Sequence, residues 1–129
     1  MSTFEARERD LVKCEDMRIH AGRAREFLAE RSLDQFLEDR MVQDAVIRCV
    51  EVVGEAARLV SEQTRKRAPQ IPWTLIIGMR NVLAHEYGTV DLEKVYSVVT
   101  DDMAELLRQI RPLIAELEQE VGWHDDEGR

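Results

Sequence analysis

Between Val42 and Val60 the apolar side chains fall three or four residues apart, at Val42, Ala45, Val46, Cys49, Val50, Val53, Ala56, Ala57 and Val60. That spacing paints one stripe along an α-helix and cannot line one face of a strand, whose period is two. The same spacing recurs before and after this segment. Ser2 and Glu5 have capping-box spacing, and Leu11, Cys14, Met17, Ala21, Ala24 and Leu28 then mark a first helix ending near Arg31. Ser32-Leu33-Asp34 punctuates the chain, with Phe36 and Leu37 expected to anchor the turn into the second helix. The basic Arg65-Lys66-Arg67 suits the negative end of that helix's dipole, and Ala68-Pro69-Gln70-Ile71-Pro72 must break it.

Pro72 can open a third helix, Trp73 to about Glu86, which Gly88 ends. Asp91 is a good N-cap for a last long helix with Val95, Val98, Val99, Met103, Leu106, Leu107 and Ile110 facing inward. Pro112 is expected to kink or split it before Leu113, Ile114, Leu117 and Val121 continue the stripe. The prediction is all-α: an up-and-down bundle of four to five helices, one domain over residues 1–122, with 123–129 a frayed acidic tail. Six glycines, three prolines and 5% aromatics fit aliphatic helix packing better than short strands and tight turns.

No apolar run approaches the ~18 residues of a membrane span, and Met1 to Asp10 are too charged for a signal peptide, so the expected location is the cytoplasm. Cys14 and Cys49 sit on apolar stripes and read as small core residues; no Cys or His pair has metal-ligand spacing, and neither metal nor cofactor is expected. The net charge of -8 argues against a general nucleic-acid binder, for which phosphate contacts dominate affinity. Residues 101–129 hold nine acids and three bases, hence -6 of that total, and the rest is nearly balanced. A local arginine cluster could still hold one phosphate.

Arg80-Asn81-Val82-Leu83-Ala84-His85-Glu86-Tyr87-Gly88 gathers an arginine, a histidine and a tyrosine at the end of an apolar run. Arginine is a permanent planar cation suited to phosphate, and histidine exchanges a proton near neutrality. Arg80 and His85, five apart, point about 140° away from each other on an ideal helix, so they cannot meet on one straight helix. Leu75, Ile76, Met79, Val82 and Leu83 are expected to face the core, leaving Ile77, Gly78, Asn81, Ala84 and His85 on the other side. A twofold dimer through that small-residue face would bring His85 of one copy towards Arg80 or Asn81 of the other. Alternatively the helix frays after Ala84 and His85 swings round. Metal-independent RNA cleavage needs a base for the 2′-hydroxyl, a cation at phosphorus and an acid for the 5′-oxygen, which two histidines and two arginines supply. The nearby arginine favours neutral His85, and Asn81, four residues before it, could fix its tautomer or bind phosphate.

The R-x-x-x-x-H-x-Y pattern followed by glycine resembles the signature of HEPN-domain proteins of the HepT type, toxins paired with a minimal nucleotidyltransferase (MntA). Val46 to Ala56, the approach Ile71-Pro72-Trp73 and Gly78-Met79-Arg80-Asn81 share the likeness. Pro112 departs from it, lying later in the last helix than the family leads one to expect. The resemblance implies a HEPN-like bundle dimerising through the motif helix, with Arg80 and His85 catalytic. It also implies that Tyr87 is adenylylated by the partner nucleotidyltransferase, which adds bulk and negative charge at the mouth of the site.

Other readings compete. The chain could be a non-catalytic subunit that supplies a nucleotide or substrate pocket to a nucleotidyltransferase, with Arg80 holding phosphate; the acidic balance favours this one. It could also be a plain helical assembly protein. Glu51 and Glu55 share a face with Arg48 and Arg58 and read as an ion-paired surface or as partners for Arg80 rather than as catalytic groups. Arg65-Lys66-Arg67 reads as a helix-end complement before an RNA patch, and His20 and His124 as solvent-exposed.

Overall fold

A computed structural model of the chain describes residues 2–83 and 89–122. The described residues are helical with no strand: α1 (Thr3–Leu28), α2 (Leu33–Leu37), α3 (Arg40–Leu59), α4 (Glu62–Arg65), α5 (Trp73–Leu83), α6 (Leu92–Ser97) and α7 (Met103–Val121), with a π-helical turn, Val98–Asp102, joining the last two. α1 packs against α3 and α7, and α3 carries α5 on its flank. The start of α1 meets the residues after α3, through Arg7 and Asp10 with Ser61 and Thr64, while its end meets the π-turn through Arg25. Both long neighbours of α1 therefore run antiparallel to it, as an up-and-down bundle requires. Among the described residues no helix is long and apolar enough to cross a membrane.

The predicted caps form. Ser2 and Glu5 make the reciprocal capping box of α1 and Asp91 accepts from the Lys94 amide at the head of α6, while an unpredicted second box, Ser32 with Gln35, opens the short α2. Gly122, at φ 75°, closes α7 in the left-handed conformation that lacks a steric penalty only for glycine. The three stripes are buried except at Val42, Ala45 and Leu107, which are half-buried, and Cys14 and Cys49 are free thiols within them. Burial pushes the Cys14 thiol up to about 12, so it is inert at neutral pH.

Several expectations are corrected. Leu37 is exposed, and Phe36 alone anchors the turn, its ring 5.7 Å from that of Tyr96, whose hydroxyl donates to the Arg31 carbonyl. His20 is half-buried, with Nδ1 3.0 Å from the Asp16 carbonyl oxygen. Pro112 does not split α7. It lies on the exposed side, where water can satisfy the Arg108 carbonyl that its missing N–H leaves free. The irregularity in the last helix comes earlier, at the π-turn, where the Arg25 guanidinium donates to the Val99 and Thr100 carbonyls.

Arg65 does complement the end of α3, donating from Nε to the Val60 carbonyl. Arg67 instead reaches Glu120 near the end of α7, tying the α4–α5 connection to the last helix at the same end of the bundle. A further cluster escaped the sequence reading. Arg7 and Asp10 are buried, and Asp10 accepts from the Ser61 amide (2.8 Å), the Ser61 hydroxyl (2.6 Å) and Thr64 Oγ1, while Arg7 bonds Asp10, Thr64 and Gln63.

Candidate functional site

The motif helix α5 is set by its first turn. Pro72 presets the entry, and the buried Trp73 donates from its indole N–H to the Ala68 carbonyl at 3.0 Å, which fixes the helix's rotation about its own axis. Ile76, Met79 and Leu83 then face the core. Leu75, expected inside, is 52% exposed, and Ile77, expected on the open face, packs half-buried against the core. The buried arc is therefore turned by about 60° from the one the spacing suggested. Thr74, Leu75 and Gly78 form the open side, beside a groove of about 210 Å3 shared with Met79, Lys94, Val98 and Asp102. Burial raises the Asp102 carboxyl above its ordinary range.

α5 crosses α3 at Gly54, where a Cβ would stand 3.1 Å from the Ile76 carbonyl oxygen and 3.2 Å from Arg80 Cγ. Glycine permits that approach without crowding, whereas a Cβ would press on both atoms by a few tenths of an ångström. The approach brings Arg80 across to the next residue of α3: its Nη1 lies 2.9 Å from Glu55 Oε2. Glu55 is held from its other side by Arg58, through Nη2 to Oε1 (2.7 Å) and Nε to Oε2 (3.3 Å). The Arg58 hydrogen bond, with the charges of Arg58, Arg80 and Lys13, lowers the Glu55 carboxyl below its ordinary range and keeps it ionised at neutral pH. Arg80 itself is half exposed, so most of its N–H donors face solvent.

Glu51 pairs at 3.9 Å with Arg48 rather than with Arg80. Both line a cleft of about 230 Å3 between α1 and α3 with Lys13, Asp16 and Glu55, a wall of mixed charge that presents no single-sign track for a polyanion. Arg80 is the one predicted site residue whose side chain is described. His85 and Tyr87, with Ala84 and Gly88, lie outside the described residues, as does the Asn81 side chain, although Asn81 itself is in α5. Among the described residues no three of His, Cys, Asp and Glu converge as metal ligands would. Sequence reasoning missed Gly54; the signal available was a glycine inside a strong helical stripe, which marks either a weak point or a close approach.

Comparison with known proteins bears directly on this segment. The sequence profile described as ribonuclease HepT-like matches residues 17–113, from the middle of α1 into α7, and so includes Arg80 to Gly88. The protein named "Putative RNase MJ1380" of Methanocaldococcus jannaschii is 31% identical over 85 residues, 66% of this chain and 78% of its own. "Probable ribonuclease HepT" of Thermococcus cleftensis is 36% identical over 81 residues, 63% of this chain and 74% of its own. No solved structure matches. With three quarters of its length, 97 of 129 residues, inside the family profile, this chain belongs to the HepT-like ribonuclease family.

Proposed function

We propose that the protein is a toxin that cleaves RNA internally without a metal ion, using Arg80 and His85, and that a partner nucleotidyltransferase of the MntA type silences it by adenylylating Tyr87. The observation that carries this reading is the family match across Arg80–Gly88, together with a half-exposed Arg80 guanidinium at the end of α5. In the proposed reaction a neutral His85 takes the 2′-hydroxyl proton, the 2′-oxygen bonds to phosphorus and the P–O5′ bond breaks. Arg80 neutralises the charge growing on the phosphoryl oxygens, and a protonated histidine returns a proton to the 5′-oxygen. The products are a 2′,3′-cyclic phosphate and a 5′-hydroxyl. Incubation with RNA in EDTA, followed by end analysis, tests this: 3′-phosphate-free, 5′-phosphorylated ends or a strict need for a divalent cation would overturn it.

Two histidines require two copies. The open side of α5, with exposed Leu75 beside Gly78, supports a twofold contact there, although Ile77 is committed to its own core. Ala84→Trp should convert the dimer to monomer in sedimentation; a wild type that is monomeric at micromolar concentration, or a variant of unchanged dimer mass, would overturn the composite site.

Silencing is a nucleotidyl transfer: the Tyr87 hydroxyl oxygen bonds to the α-phosphorus of ATP and pyrophosphate leaves. Each adenylyl group adds a negative charge that Arg80 can pair with, in the place meant for RNA phosphate. Co-expression with a nucleotidyltransferase of the MntA type should raise the mass of the Tyr87 peptide by whole adenylyl units and abolish cleavage, whereas Tyr87→Phe should stay active and escape. An unmodified Tyr87 in a silenced complex would point to inhibition by binding alone.

The net charge of -8 favours a second reading, a non-catalytic subunit that uses Arg80 to hold a nucleotide or substrate phosphate for the nucleotidyltransferase. It differs from the first in requiring no cleavage by the purified chain and no contribution from His85.

A further inference from the structure

We infer that Glu55 is a positioning residue for Arg80, acting with Gly54 as a two-residue seat: the glycine takes the arginine's stem and the carboxylate orients its head. The kinetic part of this inference rests on the ribonuclease reading; the placement of the guanidinium does not.

An arginine at a helix surface has four flexible torsions between its backbone and its planar head, and transition-state stabilisation depends on where that head stands. Arg80 has lost much of that freedom at both ends. Its Cγ lies where the Cβ of any residue larger than glycine at position 54 would stand 3.2 Å away, so the stem runs over bare α3 backbone. Its Nη1 is drawn to Glu55 Oε2 at 2.9 Å. Glu55 is a firm anchor because Arg58, three residues on along the same helix, grips both carboxylate oxygens. The contact is an ion pair at one Nη, and the guanidinium's N–H donors remain for phosphate.

Stability alone gives little reason for the arrangement. Both Arg80 and Glu55 are nearly half exposed, and ion pairs of that kind contribute little to stability. A carboxylate beside a phosphate-binding arginine also weakens attraction for RNA. Its benefit is therefore orientation, and orientation and attraction leave opposite kinetic marks: loss of Glu55 should lower kcat while leaving KM for RNA unchanged or lower. A residue that merely supported the fold would not separate the two in this way.

The test compares wild type with Glu55→Ala, Glu55→Gln and Gly54→Ala, all as full chains, in RNA cleavage and in the ¹⁵N spectrum of the Arg80 guanidinium, assigned through Arg80→Lys. Glu55→Ala is expected to lower kcat about 10-fold without raising KM. Glu55→Gln, which keeps the acceptor oxygen but not the charge, should recover part of that loss. Gly54→Ala should lower kcat with Glu55 intact, because the added methyl crowds the Ile76 carbonyl and the Arg80 Cγ and shifts the arginine's stem. In the spectrum the Arg80 Nη signals should be distinct, with slowed rotation about the Nε–Cζ and Cζ–Nη bonds, in wild type and should merge with the free arginines in Glu55→Ala. An unchanged Arg80 signal together with unchanged kcat would overturn the inference. Should wild type cleave no RNA, the ribonuclease reading fails, and the spectrum alone decides whether Glu55 holds Arg80.

Discussion

Purified Arg80→Ala and His85→Ala chains are expected to cleave RNA at least about 10²-fold more slowly than wild type while keeping their helical content and assembly state. Arg80 is a safe target for this comparison. Its guanidinium is half exposed and, among the described residues, pairs with a surface carboxylate, so truncation costs little stability and leaves no buried charge unpaired there. A large kinetic loss in a normally folded variant can then be assigned to phosphate stabilisation. Wild-type rates in both variants would sink the nuclease reading. Loss in Arg80→Ala with full RNA or nucleotide binding activity retained in His85→Ala, and no cleavage by the wild type, would favour the non-catalytic subunit.

The second large effect is expected far from the motif. Asp10→Ala should destabilise the fold by about 3–5 kcal/mol, seen as a fall in Tm of roughly 10–20 °C, because it leaves the Arg7 guanidinium buried without its counter-charge. Asp10 also accepts the Ser61 amide and the Ser61 and Thr64 hydroxyls, so three donors between α3 and α4 lose their acceptor at once. Replacing Arg7 and Asp10 together by Met and Leu should restore much of the loss, since an apolar pair of similar volume leaves neither charge stranded. The measurement is thermal unfolding by circular dichroism. A Tm drop under about 3 °C for Asp10→Ala would show that the cluster is hydrated and structurally idle.

What the sequence reveals here follows the range of the interaction that decides each feature. The stripes of α1, α3 and α7 are legible because burial of each residue depends on its own helix's periodicity, and the caps at Ser2 and Asp91 because a cap is settled within three residues. Leu75 was misplaced because its exposure depends on a rotation of α5 set by Trp73 against Ala68 and by the crossing at Gly54, neither of which the local spacing encodes. Arg7 and Asp10 look like an ordinary i,i+3 surface pair; what buries them is Ser61 and Thr64, more than fifty residues away. At the site, the pairing of Glu55 with Arg80 was one of two options that the shared face of Glu51 and Glu55 left open, and the close approach at Gly54 chose between them. The Arg80 to Gly88 motif was legible as chemistry, because residue types and spacing suffice for that, but the spatial relation of Arg80 to His85 depends on chain beyond the described part of α5.

The π-turn at Val98–Asp102 gives the last helix one residue more than its length requires. Since an α-helix advances about 100° per residue, removing a residue anywhere in α7 would swing everything beyond it out of phase, carrying Leu113, Ile114 and Leu117 off the core. At the π-turn alone, the surplus residue can be given up and the helix closed into regular form with Met103 to Val121 still in phase. What would be disturbed is the pair of carbonyls, Val99 and Thr100, on which Arg25 fastens the end of α1. The turn thus works as a slack link, the one point in the last helix where chain length and side-chain phase are uncoupled, and Arg25 is the latch that keeps the slack in use.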